Sequence, residues 1–159
     1  QTILKVAQNS DKKIITVDPK EEHFSYYKGV TSLTPNHFEA GNAAGCDIKD
    51  EATLQQAGKK LLKELNSDTL LITLGENGMC LFENSNSTHI PTVAQEVFDV
   101  CGAGDTVISA FTLSLCSGAT PLEAAHIANC AAGIVVGKVG IAIVTEDELV
   151  GRIEKEIAG

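Results

Sequence analysis

One segment of the sequence combines glycines, a carboxylate and the start of an apolar helix. Residues 99–105 read Asp-Val-Cys-Gly-Ala-Gly-Asp, and small or apolar residues continue through every turn to Cys116. Glycines let a backbone approach a ligand closely, and the unpaired N–H groups of a first helical turn attract anions. A carboxylate at Asp105 would be stabilised there by the helix dipole and could accept a proton. The segment suggests an alcohol attacking a phosphoryl group, or, with about equal weight, a plain turn with Asp105 as helix cap.

Two upstream segments carry a weaker signal of the same kind. Thr73-Leu-Gly75-Glu-Asn-Gly78 lies between two apolar runs, and alone it is most simply a glycine-containing hairpin. Asn36-His-Phe-Glu39 precedes a run of small residues, and alone it is most simply an N-cap with its capping box. Because one helical turn separates Asn36 from Glu39, both side chains could face one site.

The elements that must position these segments alternate between strands and helices. Short apolar runs predict strands at 14–17, 31–33, 69–74, 79–82, 89–91 and 141–144. Capping residues and amphipathic spacing predict helices at 1–7, 36–43, 50–66, 105–116, 121–136 and 145–157. Of these helices, 105–116 and 121–136 are expected to be the most buried. The alternation predicts a mainly parallel, three-layer α/β fold.

The composition is that of a folded domain and argues against polyanionic partners. The chain has 159 residues, of which 43% are hydrophobic and 21% charged, which fits one globular domain. A net charge of -9 disfavours binding to nucleic acid or to a membrane surface. No apolar run approaches the roughly 20 residues that span a bilayer, and the absence of an initiator Met predicts that the chain begins inside a larger protein.

The remaining chemically active side chains give no strong signal. Five cysteines, odd in number and widely spaced, predict reduced thiols in a cytoplasmic protein. Cys101 lies inside the glycine loop but is more simply a packing residue than a reactive thiol. The spacing of the histidines does not predict a metal site; they are His23, His37, His89 and His126. The loop is not G-x-G-x-x-G and comes late in the chain, so a dinucleotide-binding Rossmann domain is a poor alternative.

Residues 99–111, DVCGAGDTVISAF, resemble the C-terminal D-x-x-G-A-G-D signature of the ribokinase-like (PfkB) carbohydrate kinases. The resemblance implies a ribokinase-like three-layer α/β/α fold with a mainly parallel sheet. It also implies that Asp105 is the base that takes a proton from the sugar hydroxyl, while Asp99 assists near the phosphates or metal. The γ-phosphoryl group would be held by the backbone N–H groups of Gly102, Ala103, Gly104 and Asp105.

The two upstream segments are similar to further motifs of the same family. Residues 73–78 match its T-x-G-x-x-G nucleotide loop, which implies that Thr73, Gly75 and Gly78 lie near ATP. Residues 36–39 match its N-x-x-E motif, which implies that Asn36 and Glu39 order Mg²⁺ and its waters. Three motifs in the family's order outweigh the simpler interpretation of each one.

Longer stretches resemble the bacterial heptose-phosphate kinases of this family, over essentially the whole chain. They are residues 17–20, 27–36, 73–79, 127–129 and 136–140. This resemblance implies phosphorylation of D-glycero-β-D-manno-heptose 7-phosphate at its anomeric oxygen, toward the ADP-heptose of lipopolysaccharide. It implies that Lys20 lies near the nucleotide phosphates and Asn129 near the adenine or ribose. Lys20 could equally be a solvated loop charge, and Asn129 could simply satisfy backbone within a buried helix.

The resemblance also predicts what is missing. Residues 1–159 correspond to the C-terminal nucleotide-binding and catalytic half of a kinase domain, so the N-terminal sugar-binding half and its lid are expected to be absent. Such a half should expose a sheet edge or face, show weak or no activity, and form a homo-oligomer or pair with the missing half. The alternatives are a kinase for another sugar or a nucleoside, and a non-catalytic nucleotide-binding or assembly module.

Overall fold

The chain folds into two compact units. The computed structural model describes residues 13–84, 86–94 and 96–158. The first unit contains the described residues up to Gly75 together with Met79–His89, and the second contains Glu76–Gly78 and the described residues from Ile90 onward. The helix predicted at 1–7 lies outside the described residues.

The first unit is built on a sheet whose five strands follow the order of the chain. They are β1 (Thr16–Val17), β2 (Ser32–Leu33), β3 (Thr69–Thr73), β4 (Met79–Glu83) and β5 (Asn86–Ile90). The first three strands are parallel, and β4 is antiparallel to β3. Because only residues 74–78 join β3 to β4, the connection is too short for a parallel crossover.

Two helices of the first unit begin and end where the sequence places their caps. Helix α1 (His37–Ala44) follows the cap Asn36 and ends at Gly45, whose φ of 71° is left-handed. Helix α2 (Glu51–Leu65) follows the cap Asp50. A short 3₁₀ helix covers Glu21–Tyr26. Local side-chain bonds to backbone N–H groups therefore fix these helix starts.

The core of the first unit lies between the sheet and the apolar side of α2. Leu33, Leu70, Ile72 and Phe82 are fully buried in it. Gly58 on α2 faces the ring of Phe82, and a Cβ at this position would stand only 2.3 Å from the nearest ring carbon. The packing of the helix on β4 therefore requires glycine here.

The second unit contains three helices: α3 (Ala103–Cys116), α4 (Pro121–Val136) and α5 (Glu146–Ala158). Helix α4 packs against both α3 and α5. It buries seven residues, whereas α3 buries only Val107, Phe111 and Ser114. The prediction that both apolar helices are the most buried is therefore correct for α4 and wrong for α3 within the described residues.

Two predicted strands differ from the structure. The segment 141–144 is not a strand, and Val139, Ile141 and Ile143 are 85%, 88% and 78% exposed. Strand formation needs a neighbour to satisfy its backbone groups, and the described residues supply none there. Strand β5 begins at Asn86 rather than at residue 89, because pairing with β4 overrides the low strand propensity of its polar residues. None of the helices in the described ranges is both long and apolar enough to span a membrane.

Candidate functional site

The start of α3 differs from the starts of the other four helices. Each of those is closed by a reciprocal pair of side-chain bonds to backbone N–H groups, made by Asn36 with Glu39, Asp50 with Thr53, Thr120 with Glu123 and Thr145 with Glu148. The cap residue of α3 is Gly102, which has no side chain to offer and adopts a left-handed φ of 79°. The positive end of this helix is therefore left without the usual cap.

Three backbone donors at this helix start have no acceptor in the described part of the chain. The N–H groups of Gly102, Gly104 and Asp105 donate to none of the residues that the structure describes. The N–H group of Ala103, by contrast, donates to the carbonyl oxygen of Val100 at 3.2 Å. The expectation that Ala103 contributes a free donor is therefore corrected. Unpaired N–H groups at the positive end of a helix attract an anion such as phosphate.

The space beside these donors is open. A Cβ added at Gly102 or Gly104 would meet no atom within 4 Å. Gly102 must be glycine because of its left-handed φ. Gly104 lies in the helix without a positive φ, so neither backbone conformation nor packing within the described protein requires glycine there. Glycine at this position leaves room for a close approach by a ligand.

The carboxylate of Asp105 stands at the same helix start. It is exposed and accepts no hydrogen bond from the described residues. Asp105 is the third residue of α3, and the cap position belongs to Gly102. The simple alternative that Asp105 caps the helix is therefore wrong. The side chain can accept a proton from a ligand at the helix start.

Besides the bond from Ala103 to Val100, further hydrogen bonds hold the loop that leads into α3. The N–H groups of Phe98 and Asp99 donate to the carbonyl oxygen of Val136 at 2.8 and 3.3 Å. One carboxylate oxygen of Asp99 accepts the N–H of Cys101 at 2.9 Å. Asp99 therefore shapes the loop directly. Its second oxygen accepts no hydrogen bond from the described residues, which suits contact with a metal through water.

In the first unit, the sheet brings two separate motifs together. Asn36 forms a parallel bridge with Thr73, and the N–H of Thr73 donates to the carbonyl oxygen of Pro35 at 3.0 Å. Both residues follow or end parallel strands at their carboxyl side. This edge of a parallel sheet is where α/β proteins commonly bind ligands. Sequence reasoning identified both motifs but not their adjacency.

Asn36 and Glu39 form the capping box that the simpler interpretation predicts. Asn36 Oδ1 accepts the N–H of Glu39 at 2.9 Å, and Glu39 Oε2 accepts the N–H of Asn36 at 2.8 Å. Within the described residues, no group of three His, Cys, Asp or Glu side chains could hold a metal. The remaining oxygen of Glu39 fits a Mg²⁺ ion that keeps its waters and binds mainly to phosphates.

The two glycines of the predicted nucleotide loop have different surroundings. Both have a positive φ, 61° at Gly75 and 82° at Gly78. The space around the Cα of Gly75 is open. A Cβ at Gly78 would lie 2.1 Å from the carbonyl oxygen of Ile90. Backbone packing alone therefore explains Gly78, while the space at Gly75 is open.

The two residues with the least specific predictions, Lys20 and Asn129, make contacts within the protein. Lys20 forms an ion pair with Asp18 at 3.4 Å, and its side chain is 73% exposed. Asn129 is buried, and its Nδ2 donates to the carbonyl oxygen of Pro91 at 2.7 Å. Their contacts with a nucleotide stay predictions.

Comparison with known proteins decides the family. Residues 1–148 match the family described as "pfkB family carbohydrate kinase". The chain belongs to the pfkB family of carbohydrate kinases. It is similar to the bifunctional protein HldE of Desulfatibacillum aliphaticivorans, with 46% identity over 157 residues that make up 98% of this chain and 32% of that protein.

Solved structures of two ribokinases confirm the predicted ribokinase-like α/β fold. A ribokinase from Thermotoga maritima superposes with a TM-score of 0.80 at 27% identity, covering 96% of this chain and 52% of that one. Ribokinase from Arabidopsis thaliana, complexed with ribose and ATP, has a TM-score of 0.74 at 22% identity, covering 91% and 46%. The chain therefore spans about a third of the bifunctional relative and about half of each ribokinase.

One residue of this pfkB-family chain was not singled out by its sequence. The hydroxyl of Thr106 donates to the carbonyl oxygen of Gly102 at 2.9 Å. Its position four residues after the glycine cap is the sequence signal that could have identified it. From there a hydroxyl can donate to the carbonyl oxygen four residues earlier in a helix.

Proposed function

We propose that this chain is the nucleotide-binding and catalytic part of an ATP-dependent sugar kinase. The observation that carries the proposal is the start of α3, which has no side-chain cap. There, the N–H groups of Gly104 and Asp105, which have no acceptor among the described residues, accompany an exposed carboxylate. Membership of the pfkB family supports this assignment. The ATP complex of the Arabidopsis ribokinase supports ATP as the phosphoryl donor.

In the proposed reaction, Asp105 takes the proton from a sugar hydroxyl as the hydroxyl oxygen attacks the γ-phosphoryl group. The N–H groups of Gly102, Gly104 and Asp105 donate to oxygens of the transferred group. Because phosphoryl transfer depends on positioning and on stabilising charge, fixed backbone donors suit this task. ADP and the phosphorylated sugar are the products.

The proposed metal residues are Asn36, Glu39 and Asp99, each acting through water. Mg²⁺, when bound, would neutralise negative charge on the phosphates. Capping bonds already occupy the single side-chain oxygen of Asn36 and one of the two carboxylate oxygens of Glu39, so water-mediated contact is the chemistry that these residues can offer. In the same proposal, Lys20, Thr73, Gly75, Gly78 and Asn129 remain the candidate nucleotide residues.

For the sugar, we propose D-glycero-β-D-manno-heptose 7-phosphate, converted to the 1,7-bisphosphate in lipopolysaccharide core biosynthesis. The similarity to the bifunctional protein HldE over 98% of the chain supports this choice. A substrate panel on the full-length protein tests it, with ribose, fructose 6-phosphate and a nucleoside beside the heptose phosphate. Preference for another acceptor would leave the kinase assignment in place and remove the heptose.

We further propose that the chain is the C-terminal half of its kinase domain, with the sugar-binding half and lid supplied by further sequence. The partial coverage of the relatives supports this proposal, as do the exposed apolar side chains of Val139, Ile141 and Ile143. Pairing with that half, or with a second copy, would cover them. The five free cysteines, two of them buried with pKa values raised by burial, support a reducing, cytoplasmic location.

The experiment that tests the function replaces Asp105 by Asn in the full-length kinase. Loss of a positioned base should lower kcat by roughly 10²-fold or more. Asp147→Asn is the matched control, because Asp147 is also an exposed acid in the first turn of a helix. Activity of Asp105→Asn within a few-fold of the control would reject Asp105 as the base.

A further inference from the structure

The carbonyl group of Gly102 is held by two bonds from one residue. The N–H of Thr106 donates to this oxygen at 3.0 Å, and the Thr106 hydroxyl donates to it at 2.9 Å. The first is the ordinary bond of a helix start. The second is an addition that only a hydroxyl side chain at this position supplies.

Other hydroxyl groups on α3 and at its C-cap, Ser117, make the same type of bond, but to carbonyl groups inside the helix. Thr112 donates to the carbonyl oxygen of Ile108, Ser114 to that of Ala110 and Ser117 to that of Leu113. These acceptors lie within the helix, whereas Gly102 is the residue at its start. Among the four, only Thr106 holds the cap residue, and that residue has no side chain of its own.

The bond from the Thr106 hydroxyl helps to fix the orientation of the peptide group between Gly102 and Ala103. The carbonyl of Gly102 and the N–H of Ala103 belong to one planar peptide unit. Thr106 holds the oxygen end of this unit, and the carbonyl of Val100 accepts its N–H end at 3.2 Å. The plane is therefore fixed on both sides. Its orientation sets the direction of the donors that follow at Gly104 and Asp105.

We propose that Thr106 is a positioning residue for the phosphoryl group, acting through the Gly102–Ala103 peptide and touching no substrate. This inference rests on the proposed function of the helix start as the phosphate cradle. The Thr106 hydroxyl donates to the carbonyl oxygen of the cap residue and leaves free the N–H groups that a side-chain cap would accept. The donors of the first turn thereby stay ordered while remaining open to a ligand.

The test compares three variants of the full-length kinase. Thr106→Val removes the hydroxyl with little change of shape, Thr106→Ser keeps it, and Thr112→Val removes the equivalent bond from the middle of α3. We expect Thr106→Val to lower kcat on the order of 10-fold, because small displacements of reacting groups are costly. The KM for the sugar should change less. Thr106→Ser should restore kcat to within about twofold of wild type.

The control separates positioning from stability. If Thr106→Val and Thr112→Val lower the thermal midpoint similarly but only the first lowers kcat, the proposal is supported. Equal kcat values for these two variants, or no rescue by Thr106→Ser, would overturn it. Thr106→Ala, which also lacks the hydroxyl, gives the same test if the valine variant does not fold. Loss of activity in Asp105→Asn with full activity in Thr106→Val would reject this inference and leave the proposed function intact.

Discussion

Asn36 and Thr73 are bridge partners at the carboxyl ends of two parallel strands. The register of the sheet leads to this pairing, since Leu33 lies opposite Leu70 and the next bridge falls three residues later on each strand. The capping pair Asn36 and Glu39, which begins α1, is thereby placed beside Thr73, the first residue of the glycine loop at 73–78. The contact gives both motifs one location, although they are distant in sequence.

The open space at Gly104 leads to the first prediction. Gly104→Ala should preserve or raise the stability of the fold, by up to about 1 kcal/mol, because alanine favours a helix and its Cβ meets no protein atom. It should nevertheless lower kinase activity, because the methyl group would occupy the space proposed for phosphate. Thermal unfolding and steady-state kinetics of the full-length protein measure the two effects.

Gly151→Ala is the control for this prediction, because Gly151 is a helical glycine on α5 with equally open surroundings. It should gain similar stability without losing activity. Full activity in Gly104→Ala would show that no ligand approaches the helix start.

The close contact between Gly58 and Phe82 leads to the second prediction. Gly58→Ala should destabilise the protein by about 1–3 kcal/mol, because its Cβ would stand 2.3 Å from the fully buried ring of Phe82, and the packing must shift to admit it. Denaturant unfolding measures the loss, with Gly151→Ala again as the control. A variant as stable as wild type would contradict the packing described for α2.

Local chemistry allowed much of the fold to be predicted from sequence. Asn36, Pro121 and Thr145 act through bonds and backbone angles within one helical turn, so the starts of their helices were recognisable. The strand at 69–73 was equally clear, since residues 69–74 form a nearly continuous apolar run. Its first four residues are buried, as that run predicts. The structure confirms these elements to within one or two residues.

The features of the fold and site that were predicted wrongly depend on tertiary contacts. Strand β5 begins at Asn86 because β4 lies beside it, and residues 141–144 lack such a neighbour in the described structure. In the site, the sequence identified Asp105 and Gly104 but assigned a free donor to Ala103, whose N–H instead bonds to Val100. Such bonds follow from how the loop folds back on itself, which residue types alone do not specify.

The capping box of α1 leads to the third prediction. Asn36→Ala should cost about 1 kcal/mol of stability, as expected for the loss of a helix cap. Asp50→Ala should cost a similar amount, because Asp50 makes the same type of box at the start of α2. If Asn36 also orders Mg²⁺, only Asn36→Ala should need more Mg²⁺ for half-maximal activity. Identical Mg²⁺ dependence in the two variants would leave Asn36 a purely structural residue.

The contacts of Glu148 lead to the fourth prediction. Hydrogen bonds from Lys138 and Thr145 lower the pKa of this carboxyl from 4.5 to about 2. Glu148 Oε1 lies 2.6 Å from Lys138 Nζ. Because the folded-state pKa is lowered, these bonds contribute stability above the ordinary pKa and lose it as the pH falls toward 2. Glu148→Gln should therefore flatten the decline in stability between pH 4.5 and 2 relative to wild type.

Urea unfolding at a series of pH values measures this decline. Glu146→Gln is the control, because Glu146 lies in the same turn but makes no ion pair within the described residues. A decline in Glu148→Gln as steep as in the control would contradict the assigned contacts.

The central claim is that the start of α3 binds the terminal phosphate of the nucleotide while Asp105 deprotonates the acceptor. The most direct measurement is a crystal structure of the full-length kinase with a non-hydrolysable ATP analogue and its sugar. The γ-phosphate should lie about 3 Å from the backbone nitrogens of Gly104 and Asp105, with the Asp105 carboxylate at a similar distance from the sugar hydroxyl. A γ-phosphate bound elsewhere, or an Asp105 side chain directed away from the sugar, would contradict the account.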